Sequence, residues 1–168
     1  MWDGQIKVIT GIRRAGKSTL LFDLFYNYLI NNGTFKENII TLQLDKRKDA
    51  KYRNPIVLAE FVESQILKST EKFYLFIDEI QFCYSVPDPD NAGFVITIYD
   101  MLNELKDYKN LDVYVTGSNS KMLSKDISTE FRGRSSQIHV YPLSFAEYND
   151  AVGGDKRDNF DRYMIYGG

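Results

Sequence analysis

A glycine-rich segment that joins a β-branched run to an amphipathic run limits the fold of this chain more than any other feature. Residues Ile6–Thr10 have the composition of a short strand, and residues 11–18 follow directly with the pattern G-x-x-x-x-G-K-S. Apolar residues then recur at helical spacing over residues 20–29, until the Asn-Asn-Gly at 31–33 ends the run. The sequence therefore predicts a strand, a glycine loop and a helix, in that order.

Four further strand-like runs alternate with helical runs along the rest of the chain. This alternation predicts an α/β fold with a parallel sheet and right-handed crossovers. Ligands of such sheets bind beyond the carboxyl ends of the strands, where Gly11, Asp78 and Ser118 lie. The four strands are predicted at residues 39–44, 73–77, 111–116 and 137–141, and helices are predicted after Asn54, after a loop at residues 83–93, and after Ser144.

The residue types of the glycine loop meet the requirements of a phosphate site. Glycines let the backbone wrap around a phosphate so that successive N–H groups point inward, and the following helix adds its dipole. The pattern assigns Lys17 to the β- and γ-phosphates and the Ser18 hydroxyl to Mg²⁺. The predicted nucleotide-contacting residues are Gly11, Ile12, Arg13, Arg14, Ala15, Gly16, Lys17, Ser18 and Thr19, of which Arg13 and Arg14 are expected to face solvent or a partner.

Two carboxylates end the apolar run at residues 73–77. Asp78 is predicted to hold Mg²⁺ together with Ser18, and Glu79 to orient and deprotonate the water that attacks the γ-phosphate. Hydrolysis needs such a second carboxylate because its transition state requires positioning and charge neutralisation. An acidic pair after a strand is weak evidence alone. Because it follows a glycine loop by one strand-helix-strand-helix unit, it predicts a site for ATP and Mg²⁺.

Composition excludes several other classes of site. With one cysteine, Cys83, and one histidine, His139, the chain has no internal disulfide and lacks the ligands of a thiolate or imidazole zinc site. The net charge of −2 argues against a domain that is basic overall and binds nucleic acid. No stretch reaches about 18 consecutive apolar residues and no basic-then-apolar leader opens the chain, so we expect a cytoplasmic protein without membrane contact. The charge cluster at residues 45–53 is interpreted as a solvated loop, with nucleic acid or a partner as the alternative.

With these motifs placed, the chain resembles the prokaryotic AAA-type ATPases, a group within the additional-strand P-loop ATPases. The resemblance covers nearly the whole chain and is specific in the order of its segments as well as in their content. The segments are TGIRRAGKS at residues 10–18, FIDEIQ at 76–81, VTGSN at 115–119, RGR at 132–134 and PLSFAEY at 142–148.

This resemblance implies a three-layer αβα sandwich with a parallel five-stranded sheet of order 5-1-4-3-2. It implies that the fourth strand presents a polar sensor to the γ-phosphate, for which Ser118 and Asn119 are the candidates, with Thr116 behind them. It also implies an arginine that neutralises transition-state charge on the nucleotide of a neighbouring subunit. Arg132 and Arg134 precede the fifth strand, where AAA proteins carry that arginine.

The resemblance also sets expectations about the extent of the protein. Residues 1–168 match the ATPase core, and relatives continue beyond this point into a helical lid and a C-terminal domain. The implied partners are ATP and ADP, a homo-oligomer formed through the arginine contact in trans, and a protein or nucleic acid bound through the C-terminal domain. Without a lid, we expect weak nucleotide affinity and slow turnover.

Three functions are compatible with these features. The first is a Mg²⁺-dependent ATPase whose hydrolysis drives or switches an attached domain, and the second is a nucleotide-dependent binding or assembly switch with little hydrolysis. The third is a small-molecule phosphotransferase, which the pair Asp78 and Glu79 and the AAA-like tail disfavour. A GTPase would carry an Asn-Lys-x-Asp run for base recognition, and this sequence has none.

Overall fold

A parallel five-stranded sheet forms the centre of the molecule. The computed structural model describes residues 2–117, 131 and 133–166. The strands are β1 (Ile6–Thr10), β2 (Ile39–Gln43), β3 (Phe73–Asp78), β4 (Val86–Pro87), β5 (Val95–Ile96), β6 (Leu111–Thr116) and β7 (Ser135–His139). The sheet has the order β7-β1-β6-β3-β2 and all of its pairings are parallel. Counted among themselves, its five strands are arranged 5-1-4-3-2, and the predicted α/β class is confirmed.

The largest differences between the strands and their predicted ranges lie in the loop of residues 83–93 and at β7. The predicted loop at residues 83–93 contains β4, which pairs antiparallel with β5 as a two-stranded hairpin outside the main sheet. β7 begins and ends two residues earlier than predicted, because it pairs with β1 residue for residue from Ile6↔Ser135 to Thr10↔His139. The span of β7 is therefore set by its partner strand and not by its own run of apolar residues.

The helices after the glycine loop, after Asn54, before β6 and after Ser144 agree with the prediction, whereas the last helix of the described residues was not predicted. The helices are α1 (Lys17–Thr19), α2 (Tyr26–Asn31), α3 (Pro55–Ile66), α4 (Ile98–Leu105), α5 (Phe145–Val152) and α6 (Lys156–Tyr166), with a π-helical turn at Leu20–Phe25 between α1 and α2 and 3₁₀ turns at Lys36–Asn38, Arg47–Arg53 and Ile80–Phe82. Within the residues described, no helix combines the length and the apolar character needed to cross a bilayer.

Helices cover both faces of the sheet, which gives the three-layer arrangement. The side chains of β3 alternate between the two faces, as the period of two in a strand requires. Leu75 and Ile77 join the core formed with α3 and α4, whereas Tyr74 and Phe76 join the core formed with the helical segment that follows the glycine loop. This alternation of large side chains explains why β3 reads as a continuous apolar run.

The helical segment from α1 to α2 buries fewer apolar residues than its spacing suggests. Leu21 and Leu29 are buried, but Leu24 and Tyr28 are 62% and 54% exposed. The π-helical turn lengthens the repeat beyond 3.6 residues because its hydrogen bonds run from i to i+5. Residues four apart, from Leu21 through Phe25 to Leu29, therefore face the sheet, and the outward positions include Leu24 and Tyr28.

The helix ends follow from local sequence. At α3, the Asn54 side chain accepts hydrogen bonds from the N–H groups of Ile56 (3.0 Å) and Val57 (3.4 Å). At α5, Ser144 and Glu147 form the predicted capping box. Leu67 caps the carboxyl end of α3 and is 69% exposed, so the buried side of this helix ends at Ile66.

Candidate nucleotide-binding site

The glycine loop begins where β1 ends, at the carboxyl edge of the sheet. Two of its glycines adopt backbone conformations that other residues disfavour. Gly11 has φ of 149° and Gly16 has φ of 87°, both in a region that side chains disfavour. A Cβ atom on Gly11 would lie 2.2 Å from the carbonyl oxygen of Val140, in the segment that leaves β7. Gly11 is therefore required by the close approach of two backbones as well as by its own conformation.

Replacing Gly11 with alanine is expected to lower the free energy of unfolding by about 3 kcal/mol, from backbone strain together with the displaced Val140 carbonyl. The matched control is Gly33→Ala, since Gly33 also has positive φ (87°) but no atom within 4 Å of the added methyl group. That variant is expected to lose only about 1 kcal/mol. Urea unfolding monitored by circular dichroism measures both values, and equal losses in the two variants would show that the close approach to Val140 is unimportant.

The remaining loop residues differ in exposure. Ile12, Arg13, Arg14, Gly16, Ser18 and Thr19 are exposed, whereas Gly11, Ala15 and Lys17 are buried. Arg14 has φ of 67°, which is uncommon for a residue other than glycine and is one of the strained positions that functional loops retain. The exposure of Arg13 and Arg14 agrees with the expectation that they face solvent or a partner.

Lys17 folds its side chain back beneath the loop. Its ammonium group donates hydrogen bonds to the carbonyl oxygens of Gly11 (3.1 Å) and Ile12 (2.8 Å), and the residue is 5% exposed. In the described part of the chain, no carboxylate oxygen lies within 4 Å of this ammonium. Among the residues described, the buried positive charge of Lys17 is therefore contacted by neutral carbonyl groups and by no carboxylate.

The other buried lysines of the described residues show that this arrangement is unusual within the same protein. Lys7 forms ion pairs with Asp112 (2.5 Å) and Asp3 (2.6 Å), and Lys106 pairs with Asp107. Burying a charge is costly unless it is paired, and Lys7 and Lys106 meet that requirement through carboxylates. The ammonium of Lys17 meets it only if an anion enters the loop.

Ser18 and Asp78 lie next to each other although 60 residues separate them in the chain. The Ser18 hydroxyl donates to the two carboxylate oxygens of Asp78 at 3.1 Å and 2.9 Å. The Thr116 hydroxyl also donates to Asp78, and Thr116 itself is fully buried at the end of β6. The predicted oxygen pair of Ser18 and Asp78 is thus assembled from α1 and the last residue of β3, and Thr116 at the end of the neighbouring strand β6 holds Asp78 by a further hydrogen bond.

This donor set fits Mg²⁺ only in part. Hydroxyl and carboxylate oxygens are the hard ligands that Mg²⁺ prefers, and the ion commonly takes one or two protein ligands together with phosphates and water. The residues that the structure describes contain no group of three or more His, Cys, Asp or Glu side chains able to hold a metal. Ser18 and Asp78 therefore suit an ion that arrives with a phosphate, and not an ion held by protein alone.

Glu79 adopts a left-handed backbone conformation immediately after β3, with φ of 56° and ψ of 54°. Its N–H donates to the Thr116 hydroxyl at 3.1 Å, and its carboxylate accepts a hydrogen bond from the side chain of Gln81. Such strain costs about 1–3 kcal/mol and persists where surrounding contacts enforce it. Thr116 thus contacts both acidic residues, a role that sequence reasoning missed when it placed Thr116 behind the sensor candidates.

The remaining predicted residues divide into those described and those not described. Ser118, Asn119 and Arg132 lie outside the described residues. Arg134 is exposed at the amino end of β7, where its carbonyl oxygen accepts from the N–H of Ile6 at 3.0 Å. Since the glycine loop follows the opposite end of β1, Arg134 does not reach the nucleotide site of its own chain.

The charge cluster at residues 45–53 is only partly a solvated loop. Asp49 is buried and accepts from the N–H of Gln43 at 2.8 Å, and Arg53 donates to the carbonyl oxygen of Leu44 at 2.7 Å. These two residues hold the 3₁₀ turn against the carboxyl end of β2. Lys46, Arg47, Lys48 and Lys51 remain exposed.

Cys83 and His139 contact structural groups. Burial raises the pKa of the Cys83 thiol to about 12, so this thiol stays protonated and weakly reactive at neutral pH. The Nδ1 atom of His139 lies 3.1 Å from the hydroxyl of Thr10, which also accepts from the side chain of Gln137 at 3.1 Å. The histidine therefore helps to fix the end of β1, and the sequence showed only that it lay in a strand-like run.

The arrangement of strand, glycine loop, helix and acidic strand end is also that of a known family. The AAA domain family matches residues 3–149. The chain belongs to this family. Its fold and its order of motifs are those of an AAA-type P-loop ATPase core.

Two relatives extend across most of this AAA domain. A protein of Haemophilus influenzae, described as uncharacterised, is 33% identical over 97% of this chain and 39% of its own length. Another uncharacterised protein, from Methanocaldococcus jannaschii, is 35% identical over 86% of this chain and 28% of its own length. The chain thus spans between about a quarter and two fifths of the length of these relatives.

Solved structures with low sequence identity share the fold. A Walker-type ATPase of Pyrococcus abyssi has a TM-score of 0.57 at 15% identity, and the match covers 95% of this chain and 57% of that protein. The Orc1 protein of Aeropyrum pernix, solved in complex with DNA, has a TM-score of 0.55 at 10% identity, with coverage of 94% and 44%. At these identities the likeness concerns the fold alone.

Proposed function

We propose that this AAA domain binds ATP with Mg²⁺ and hydrolyses the γ-phosphate. The observation that carries the proposal is the buried ammonium of Lys17, which contacts two loop carbonyls and no carboxylate within the described residues. A polyphosphate supplies the negative charge that this position requires. The oxygen pair of Ser18 and Asp78 lies beside the same loop and supports the metal part of the proposal.

Each part of the loop has a separate task in binding. The N–H groups of residues 11–19 donate hydrogen bonds to phosphate oxygens, a role that the positive φ angles of Gly11 and Gly16 support. Lys17 turns from the carbonyl oxygens of Gly11 and Ile12 towards the β- and γ-phosphates. Ser18 and Asp78 ligate Mg²⁺, which supplies neutralisation of phosphate charge when it is bound.

Glu79 is the proposed general base for hydrolysis. A base must lie near the water that it deprotonates and must hold a defined orientation. Glu79 follows Asp78 directly, and its backbone is fixed to Thr116 at the end of the neighbouring strand. The carboxylate is thereby held at the carboxyl edge of the sheet, close to Ser18 and Asp78, the proposed Mg²⁺ ligands.

Two further sets of residues have proposed roles: sensors that contact the γ-phosphate, and an arginine that contacts the nucleotide of a neighbouring subunit. Ser118 and Asn119, which follow β6 in the sequence, are the proposed sensors, and Thr116 links that strand to Asp78 and Glu79. Arg134 or Arg132 is proposed to contact the nucleotide of a second copy, which makes a homo-oligomer the active form. The exposure of Arg134, far from the loop of its own chain, supports a role in trans.

Hydrolysis is proposed to drive or switch a domain or partner outside residues 1–168, in a cytoplasmic protein whose lid and C-terminal domain follow this core. The larger size of the two relatives supports this part of the proposal. A nucleic-acid partner is one version of it, since Orc1 is bound to DNA in its structure. The net charge of −2 favours contact through another domain over contact through this one.

Mg²⁺-dependent binding and hydrolysis test the proposal directly. Calorimetric titration with ATP is expected to show binding that weakens when EDTA removes Mg²⁺, and phosphate release is expected to stop under the same condition. GTP serves as the comparison nucleotide. Tight binding without phosphate release would favour the nucleotide-dependent switch, transfer to an acceptor other than water would favour a phosphotransferase, and absence of binding at millimolar ATP would refute the proposal.

A further inference from the structure

The turn that follows β3 is anchored on both sides of Gln81. Ile80 is 1% exposed and belongs to the main core, and the guanidinium of Arg53 lies 5.3 Å from the centre of the Phe82 ring. Backbone hydrogen bonds from Phe82 N–H to the Glu79 carbonyl and from Cys83 N–H to the Ile80 carbonyl, both 3.0 Å, close the 3₁₀ turn. These contacts fix the backbone on both sides of Gln81.

The side chain of Gln81 points back to Glu79. The Nε2 group of Gln81 donates a hydrogen bond to the carboxylate oxygen Oε2 of Glu79. In an extended strand these two side chains would leave the same face from Cα atoms about 7 Å apart. The left-handed backbone at Glu79 (φ 56°, ψ 54°) reverses the chain and brings the amide to the carboxylate.

The chemistry of the donor suits a carboxylate that must accept a proton. A glutamate side chain has several rotatable bonds, so its orientation towards a water molecule is lost unless another group restricts it. A lysine or arginine would restrict it but would also form an ion pair that stabilises the charged carboxylate. The neutral amide of glutamine fixes orientation without adding a charge.

We propose that Gln81 is the positioning residue of Glu79, which it holds in the orientation needed to activate the attacking water. The inference rests on the proposed function, in which Glu79 is the general base. In this proposal, Gln81 itself contacts neither the nucleotide nor the Mg²⁺ ligands Ser18 and Asp78. It acts only through the carboxylate of Glu79.

A double-mutant cycle on turnover tests this role. Gln81→Met keeps the side-chain length but removes the donor, and it is expected to lower kcat about tenfold while the Kd for ATP stays within about twofold. In the Glu79→Gln background, the same substitution is expected to change the residual rate less than about twofold, because the two residues act as a unit. Gln65→Met, on α3 and away from the site, is the control for the substitution itself and is expected to retain the full rate.

The outcomes separate the inference from the proposed function. A wild-type kcat in Gln81→Met, or an equal fractional loss in both backgrounds, overturns the role of Gln81 while leaving Glu79 as the base. A rate that Glu79→Gln does not lower refutes the proposed function of Glu79 and with it the inference. A change in the Kd for ATP that matches the change in kcat assigns Gln81 to the nucleotide site and also overturns the inference.

A spectroscopic readout tests the contact without any need for turnover. In ¹⁵N-labelled protein, the side-chain amide signals of Gln81 are assigned by their loss in Gln81→Met. Glu79→Asn replaces the carboxylate with a shorter amide side chain while tolerating the left-handed backbone, and it is expected to move these signals towards those of Gln65, whose amide donates to the Ser64 hydroxyl at 3.0 Å. Signals that stay in place in that variant would show that Gln81 does not hold Glu79.

Discussion

Replacing Lys17 with alanine is expected to weaken ATP binding about a hundredfold. A hydrogen bond to a charged group contributes about 1.5–3 kcal/mol, and loss of the lysine contacts to two phosphates removes about 3 kcal/mol of binding free energy. Calorimetric titration of wild type and variant with Mg²⁺ and ATP measures the difference. In the same variant, we expect the free energy of unfolding to change by less than about 1 kcal/mol, because the ammonium contacts only two carbonyls in place of a carboxylate.

The matched control is Lys46→Ala, which removes the same charge close to the same site. Lys46 pairs with Asp45 at 2.9 Å on the surface, and its side chain is 56% exposed. Exposed charges contribute little, so this variant is expected to bind ATP within about twofold of wild type. An equal loss of affinity in both variants would reduce the role of Lys17 to general electrostatic attraction, and a well-folded Lys17→Ala that binds like wild type would remove the phosphate site from the loop.

Replacing Lys7 is expected to lower the free energy of unfolding, in contrast to replacing Lys17. The comparison shows which property is particular to the lysine of the glycine loop. Lys7 is as buried as Lys17, but it lies between the carboxylates of Asp3 and Asp112. Removing one partner from a buried ion pair leaves an uncompensated charge, which costs about 3–5 kcal/mol. Burial alone thus does not distinguish the two lysines. The absence of a carboxylate partner within the described residues does.

The sheet could be predicted from the sequence because the patterns that indicate its strands and helices are local and support one another. β3 could be predicted from an unbroken apolar run, and the helix after the loop from its spacing and its Asn-Asn-Gly end. The neighbourhood of Ser18 and Asp78 followed from a general rule, since parallel strands present their carboxyl ends at one edge. The strand order rested on the resemblance to AAA-type ATPases and not on any residue of the chain.

Other features depended on contacts that no local pattern encodes. The span of β7 follows from its register with β1, and the outward Leu24 follows from a π-helical turn. The link from Thr116 to both acidic residues required the positions of two strands at once. The resemblance placed Arg134 in a motif but gave no position for it, and the structure puts it at the amino end of the sheet.

Glu79→Gln is expected to lower the rate of phosphate release by at least about a hundredfold, the smaller end of the range for a general base. The Kd for ATP is expected to stay within about threefold, because the carboxylate is proposed to act on water and not on the nucleotide. Glutamine has the same length and the same Cβ, so the left-handed backbone at this position carries no added strain. Single-turnover phosphate release with Mg²⁺, and with the enzyme in excess of ATP and above the Kd, separates this loss from any change in binding.

The matched control for Glu79→Gln is Glu104→Gln, the same chemical change at an exposed position of α4, and its rate is expected to equal that of wild type. The comparison with Lys17→Ala then identifies the chemistry: one variant loses binding, and the other retains binding but loses the reaction. Loss of ATP binding and loss of hydrolysis are separated in this way when one residue binds the triphosphate and another activates water. A Glu79→Gln protein that releases phosphate at the wild-type rate would leave Asp78, Thr116 and the loop as a binding site alone, and the nucleotide-dependent switch would then be the better account of this domain.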